Sequence, residues 1–153
     1  PEVVQGLIDE GADANTVDTV LGYTPLLWAS GFGDSESIPL LIEAGADVNV
    51  SDTAEGRTPL MHAVRTGTSE GVAALLAAGS KVNAIDNALM TALHIAAEND
   101  NVTLEKIKLL VEAGVNVHAL DSDGLTALDY AKTRTGDDAS SVVNYLLQHT
   151  KSN

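Results

Sequence analysis

Apolar residues recur at helical spacing in four places along the chain: Ile38, Leu41 and Ile42; Val72, Leu75 and Leu76; Ile107, Leu110 and Val111; and Val142, Val143, Leu146 and Leu147. Residues three and four apart share one face of a helix, so each set predicts a short helix with one buried stripe. Upstream of each set lies a denser run with alanine in it: "LLWAS" at 26–30, "LMHAV" at 60–64, "LHIAA" at 93–97 and "LDYA" at 128–131. These predict brief helices slim enough to pack closely against a neighbour. Thr24, Thr58, Thr91 and Thr126 stand just ahead of them. A threonine hydroxyl at the N-cap accepts from a backbone N–H that the helix leaves unpaired. Pro25 and Pro59 suit the next position, where no N–H is needed. Gly45, Gly79 and Gly114 stop three of the second helices, where the backbone must turn left-handed. Each unit reads as helix, turn, helix and protruding loop.

The four threonines are spaced 34, 33 and 35 residues apart. A second phrase keeps step with them, as "GADAN" at 11–15, "GADVN" at 45–49, "GSKVN" at 79–83 and "GVNVH" at 114–118. Two phrases locked in one period mean a repeat array. A single helix pair cannot bury its apolar face alone, so the pairs stack.

These phrases resemble those of the ankyrin repeat family, whose unit carries Thr-Pro-Leu-His and Gly-Ala-Asp-Val-Asn about 33 residues apart. The resemblance covers nearly the whole chain. It implies an all-α solenoid of stacked helix-turn-helix units with protruding, β-hairpin-like loops, built as a single domain over 1–153. A half unit occupies 1–17, and repeats follow at about 18–51, 52–85, 86–120 and 121–153. In the last, Thr150 replaces the glycine and the tail is polar, as in a C-terminal cap. "PEVVQGLIDEG" at 1–11 reads as the second helix of a unit whose first is missing, as in a fragment of a longer array. Val3, Val4 and Leu7 would then lack cover, giving a monomer with an association-prone N-terminal helix. Departures from the family pattern are local. Leu89 replaces a glycine, Ala92 and Ala127 replace proline, and one residue is added in each of the loops at 18–22 and 52–56. The turns at 98–105 and 132–141 are also lengthened, at positions that tolerate insertion. Such irregularity argues against a designed repeat protein.

Composition narrows the partner more than the fold. Apolar residues make up 44% of the chain, yet no run approaches the roughly 20 a membrane helix needs. No signal-peptide pattern opens the sequence, and the absence of cysteine excludes a disulfide framework or thiolate metal site. A cytoplasmic location fits, as does a cysteine-free secreted bacterial protein. A net charge of −14 argues against nucleic acid and anionic membrane, which need clustered Lys and Arg. Residues 1–56 hold eleven acids and no Lys or Arg, whereas 57–153 hold eleven acids and all eight bases.

No catalytic constellation emerges. "SGFGDSES" at 30–37 lacks a preceding strand, so it is no dinucleotide fingerprint. "DSDG" at 121–124 lacks the remaining ligands of a calcium loop. No GxSxG elbow is present. The "NVT" at 101–103 places Thr103 as the N-cap of a helix starting near Leu104. His94 occupies the family's Thr-Pro-Leu-His position, which implies bonds to loop backbone that brace neighbouring units. His62 lies one residue further along its unit, matching Trp28, Ile95 and Tyr130, so packing is expected of it. Two histidines without placed carboxylates make a poor metal site, and neither metal nor cofactor is expected.

The resemblance implies a non-catalytic protein–protein interaction module that binds through loop tips and a concave helix face. Carried onto this chain, the residues before each Thr are Tyr23, Arg57, Met90 and Leu125, the tips include Val20 and Leu21, and the inter-helix turns supply Gly31 and Phe32, Arg65 and Thr66, Glu98 and Asn99, and Thr133 and Arg134. Val20, Leu21, Tyr23, Phe32, Met90 and Leu125 are apolar or aromatic where a solvated surface favours polar groups. Tyr23, Trp28 and Phe32 cluster within the acidic front, which points to a protein or peptide with a basic, partly apolar segment. The alternative is a targeting or regulatory region of a larger enzyme or channel.

Overall fold

The computed structural model describes residues 1–151. Among these residues it has nine α-helices and no strand. The helices fall into two compact bodies. Pro1–Lys81 holds α1 (Glu2–Asp9), α2 (Pro25–Phe32), α3 (Ser37–Glu43), α4 (Pro59–Arg65) and α5 (Ser69–Ala77). The body that begins at Val82 holds α6 (Ala92–Glu98), α7 (Leu104–Glu112), α8 (Ala127–Ala131) and α9 (Ala139–Thr150). In the first body α2 packs on α4, while α1, α3 and α5 stack in turn; in the second, α6 packs on α8 and α7 on α9. This is the expected all-α stack of helix-turn-helix repeats.

The caps form as the sequence implies. Thr24, Thr58 and Thr126 accept at Oγ1 from the N–H groups of Leu27, Met61 and Asp129, at 3.3, 3.4 and 3.3 Å. In the third repeat His94 takes part in the cap, its Nδ1 accepting from the Thr91 N–H at 3.1 Å. Its Nε2 then donates toward the carbonyls of Ala119 and Leu125, at 3.1 and 3.2 Å, and braces the third repeat against the fourth. Gly45, Gly79 and Gly114 end α3, α5 and α7 at φ +88°, +88° and +86°.

The asparagine closing each of the first three copies of the second phrase bonds to the copy that follows. Asn15 Oδ1 accepts from the Asp47 N–H at 2.8 Å while its Nδ2 donates to the Gly45 carbonyl at 2.9 Å. Asn49 accepts from the Lys81 N–H at 2.7 Å, and Asn83 from the Asn116 N–H at 2.7 Å. These bonds satisfy polar backbone just past each helix end, which explains why the phrase recurs with the helices it joins.

Each protruding loop is a hairpin closed by one backbone bond and organised by an aspartate. The closing bonds run from Asp18 N to Tyr23 O, Asp52 N to Arg57 O, Asp86 N to Met90 O and Asp121 N to Leu125 O, at 2.9 to 3.1 Å. The same aspartates accept tip N–H groups on Oδ1: Val20 and Leu21 on Asp18, Ala54 and Glu55 on Asp52, Ala88 and Met90 on Asp86, Asp123 and Leu125 on Asp121. One tip conflicts with its residue. Gly22, Gly56 and Gly124 take left-handed φ, and Leu89 is forced to φ +58° at the corresponding corner. A side chain there costs about 1–2 kcal/mol, part of which a glycine returns through its freer unfolded chain. Leu89→Gly should therefore raise stability by about 0.5–1 kcal/mol in urea unfolding. An unchanged or lower midpoint would mean the leucine side chain offsets its own strain.

The two lengthened turns of the second body meet at Arg134. The sequence placed it on an exposed turn; it is instead only 7% exposed. Its guanidinium donates to the carbonyls of Ala96 (3.0 Å), Asn99 (2.6 Å) and Val102 (2.9 Å), in and just beyond the last turn of α6. Asp138 receives a further bond at 2.8 Å, and Thr135 Oγ1 donates to Asp100 at 2.8 Å. The insertions are thus wired together, because helix-end carbonyls need donors and the two buried Nη groups of the guanidinium supply them.

Candidate partner-binding groove

Trp28 and Phe32 lie one helical turn apart on α2, so they project from the same face. Their rings stack with centroids 5.2 Å apart. Tyr23, just before the N-cap, brings its ring to 5.0 Å from Trp28 and 5.3 Å from His62. The Trp28 Nε1–H donates to Asp18 Oδ2 at 3.1 Å, so the carboxylate that shapes the first tip also fixes the indole. The Leu21 N–H, against some loss of hydration, holds Asp18 below the usual carboxylate range, with the Val20 N–H, the indole and the Tyr23 N–H adding to it. Together these rings wall an open groove of about 530 Å³. Leu21 continues the apolar wall; Gly31, His62, Arg65 and Thr66 complete the lining. Thr66 Oγ1 donates to the Gly31 carbonyl at 2.7 Å, pinning α4 to α2 across the groove floor.

His62 is buried, as packing would require, but its contact is polar. Nε2 lies 2.8 Å from Asp52 Oδ2, with both side chains nearly inaccessible. Burial pushes the imidazole below its ordinary 6.5, the Asp52 carboxylate pulls the other way, and Arg65 and Arg57 add to the depression. The ring is therefore neutral near pH 7, its Nε2–H donating a hydrogen bond to the Asp52 carboxylate. The slot is used alike in other repeats: Trp28 donates to Asp18, and the Tyr130 hydroxyl donates to Asp121 at 2.6 Å, which pushes that phenol up to about 12. Ile95 has no such donor. The slot is thus a link from helix to loop tip, and it leaves His62 as part of the groove wall.

The residues expected to meet a partner separate clearly. Leu21, Tyr23, Phe32 and Arg65 converge on this groove. Phe32 is 78% exposed, and Val20 at 86% stands on the neighbouring tip without lining it. Arg57 is half-buried and ion-paired with Glu55. Glu98 ends α6 on an exposed position and Leu125 is 39% exposed, both in the second body. Met90 is a correction: it is only 8% exposed, since a flexible apolar chain gains by folding onto its own body. Trp28 is half-buried and serves both packing and lining.

Gly31 and Thr66, expected on the inter-helix turns, also line the groove, and His62, of which only packing was expected, joins them because α4 lies beside α2. Sequence reading passed over Val17, Ile85 and Leu120, exposed apolar residues each directly preceding a tip aspartate. Their shared position in the repeat was a usable signal. At the N-terminus, α1 buries no residue; Val3 and Leu7 are exposed, as expected, whereas Val4 is half-buried.

A family model described as Ankyrin repeats (3 copies) matches residues 1–86, and a second, Ankyrin repeats (many copies), matches 75–131. The chain belongs to the ankyrin repeat family. Ankyrin repeats are generally protein–protein interaction modules and typically non-catalytic. No curated protein is similar enough to this ankyrin chain to match it. Among the described residues no helix is long and apolar enough to cross a membrane.

Proposed function

We propose that this chain binds a partner protein through an extended segment of that partner, with an apolar side chain seated in the groove of the first two repeats. Basic residues flanking that side chain face the acidic surface around it. The observation that carries this reading is the continuous aromatic wall of Tyr23, Trp28 and Phe32, ending in a phenylalanine that is 78% exposed. Solvating that ring has no benefit to the fold, while covering it yields roughly 2–3 kcal/mol, the scale of an interface hot spot. The flanking charge follows from residues 1–81, which hold twelve acids and three bases. Such a field speeds encounter more than it tightens the complex, and salt screens it over a Debye length of about 8 Å at physiological strength.

The test is selection from a displayed random-peptide library on the wild-type chain and on Phe32→Ala. Phe32 is exposed, so the variant should keep its stability within about 0.5 kcal/mol. Peptides enriched on the wild type should shift the emission of Trp28, the chain's single tryptophan, and bind Phe32→Ala at least tenfold more weakly. Equal enrichment on both proteins, with Trp28 emission unmoved, would overturn the proposal.

A further inference from the structure

The helix slot that links to a loop tip needs one donor, and Trp28 and Tyr130 each supply it from a single polar atom. His62 fills the same slot with two. Its Nε2 lies 2.8 Å from Asp52 Oδ2, and an ionised carboxylate only accepts, so the ring proton sits on Nε2. Nδ1 of the neutral ring is then an acceptor. It has no hydrogen-bond partner among the described residues, although His62 is only 4% exposed. Unlike the partnerless Ser30 hydroxyl, it is not sealed from solvent.

Gly31 is what leaves this nitrogen open. It sits inside α2, where glycine disfavours the helix relative to alanine. Its backbone does not require glycine, since its φ is not among the left-handed ones. A Cβ built there would meet His62 Nδ1 first, at 3.8 Å, which is ordinary contact. Neither backbone nor packing accounts for the missing side chain. Its absence uncovers Nδ1 at the groove, which Gly31 and His62 line together. Two other polar groups of the lining are already engaged, Trp28 Nε1 by Asp18 and Thr66 Oγ1 by the Gly31 carbonyl.

We infer that the groove selects a partner segment whose anchor is a tyrosine, its ring against the aromatic wall and its hydroxyl donating to Nδ1 of His62. This rests on the reading of the groove as the partner site and adds its specificity. Leucine, methionine or phenylalanine would take water from Nδ1 and return no hydrogen bond, so the site disfavours them. Serine and asparagine carry donors but too little apolar surface to cover Phe32 and Trp28. Tryptophan holds its N–H on the flank of the ring, whereas tyrosine carries its donor at the far end and reaches over Gly31. A lysine ammonium also donates, but the positive charges of Arg65 and Arg57 already act on His62 and oppose it.

The library selection above supplies the probes, and the enriched pool should carry tyrosine at the anchor position. The most enriched peptide is synthesised beside a counterpart with phenylalanine for that tyrosine, which removes the hydroxyl alone. Calorimetric titration of the wild type should find the counterpart about tenfold weaker, a free-energy difference of about 1.4 kcal/mol. Gly31→Ala keeps the helix and sets a methyl group over Nδ1, so it should bind both peptides alike. Ring-nitrogen NMR gives a readout apart from affinity. The Nδ1 resonance of His62 should be that of an unprotonated nitrogen in the free chain, and should move with the tyrosine peptide but not with its counterpart. Phenylalanine, leucine or methionine enriched as often as tyrosine would overturn this inference and leave the groove standing. So would equal affinity for the two peptides, a preference that survives Gly31→Ala, or an Nδ1 resonance that the tyrosine peptide leaves in place. Failure of the groove itself appears separately, as enrichment that Phe32→Ala does not reduce.

Discussion

Replacing Arg134 with methionine should cost the second body about 4 kcal/mol, a large share of the 5–15 kcal/mol that holds a domain folded. Methionine keeps the apolar stem, so the loss isolates the guanidinium. That group satisfies the carbonyls of Ala96, Asn99 and Val102 together with Asp138, from a site without solvent access. A buried ion pair can be exchanged for apolar residues at little cost when both partners go. Here the acceptors are backbone and stay behind, each carrying a desolvation penalty of about 1–3 kcal/mol when left unmade. Arg134→Lys keeps the charge and reaches fewer acceptors, so it should recover less than half. Urea unfolding, with hydrogen exchange across α6 and α7, locates the damage. A loss under about 1 kcal/mol for Arg134→Met would show that water reaches those carbonyls and that the long turns hold without the clamp.

Asp52→Ala should destabilise the first body by about 3 kcal/mol and loosen the groove wall with it. One oxygen organises the N–H groups of Ala54 and Glu55, and the other holds His62. Burial raises the Asp52 carboxyl, but the Glu55 N–H and the His62 ring outweigh it and hold it below its ordinary 3.8. The pair also fixes a pH dependence. The folded His62 is depressed below 6.5, so the unfolded chain takes up its proton first. The stability this contributes is whole above about pH 6.5 and is lost as the pH falls through the folded value; the Asp52 contribution goes at lower pH still, below 3.8. Urea midpoints should therefore start to fall below about pH 6.5. His62→Phe should flatten that first segment while lowering the midpoint throughout, because Asp52 loses a donor. A first segment as steep in His62→Phe as in the wild type would assign it to another group.

Legibility followed the range of the interaction. Caps, left-handed glycines and stacking asparagines act within a few residues or at the repeat period, so Thr24, Gly45 and the "GADVN" phrase announced the architecture. The aspartate links run across nine or ten residues, from Asp18 to Trp28, Asp52 to His62 and Asp121 to Tyr130. They depend on which side chain fills one helix slot, and a packing rule for that slot hides a tryptophan, a histidine and a tyrosine acting alike as donors. The aromatic half of the candidate site was legible because Tyr23, Trp28 and Phe32 sit on one short segment. Gly31 and Thr66 were legible as turn positions, but the part His62 plays was not, because it lines the groove only once two helices meet. Met90 misled for the reverse reason: it shares its repeat position with exposed Leu125, yet position in the repeat does not decide whether a flexible side chain folds inward.

The most direct test fills the groove from within. Gly31→Leu adds a side chain where a Cβ meets nothing closer than 3.8 Å, so the urea midpoint should hold or rise. Calorimetric titration with the peptide most enriched on the wild type should then show affinity at least tenfold lower. Undiminished affinity in a Gly31→Leu chain of normal stability would contradict the account, because the partner would then be meeting some other face.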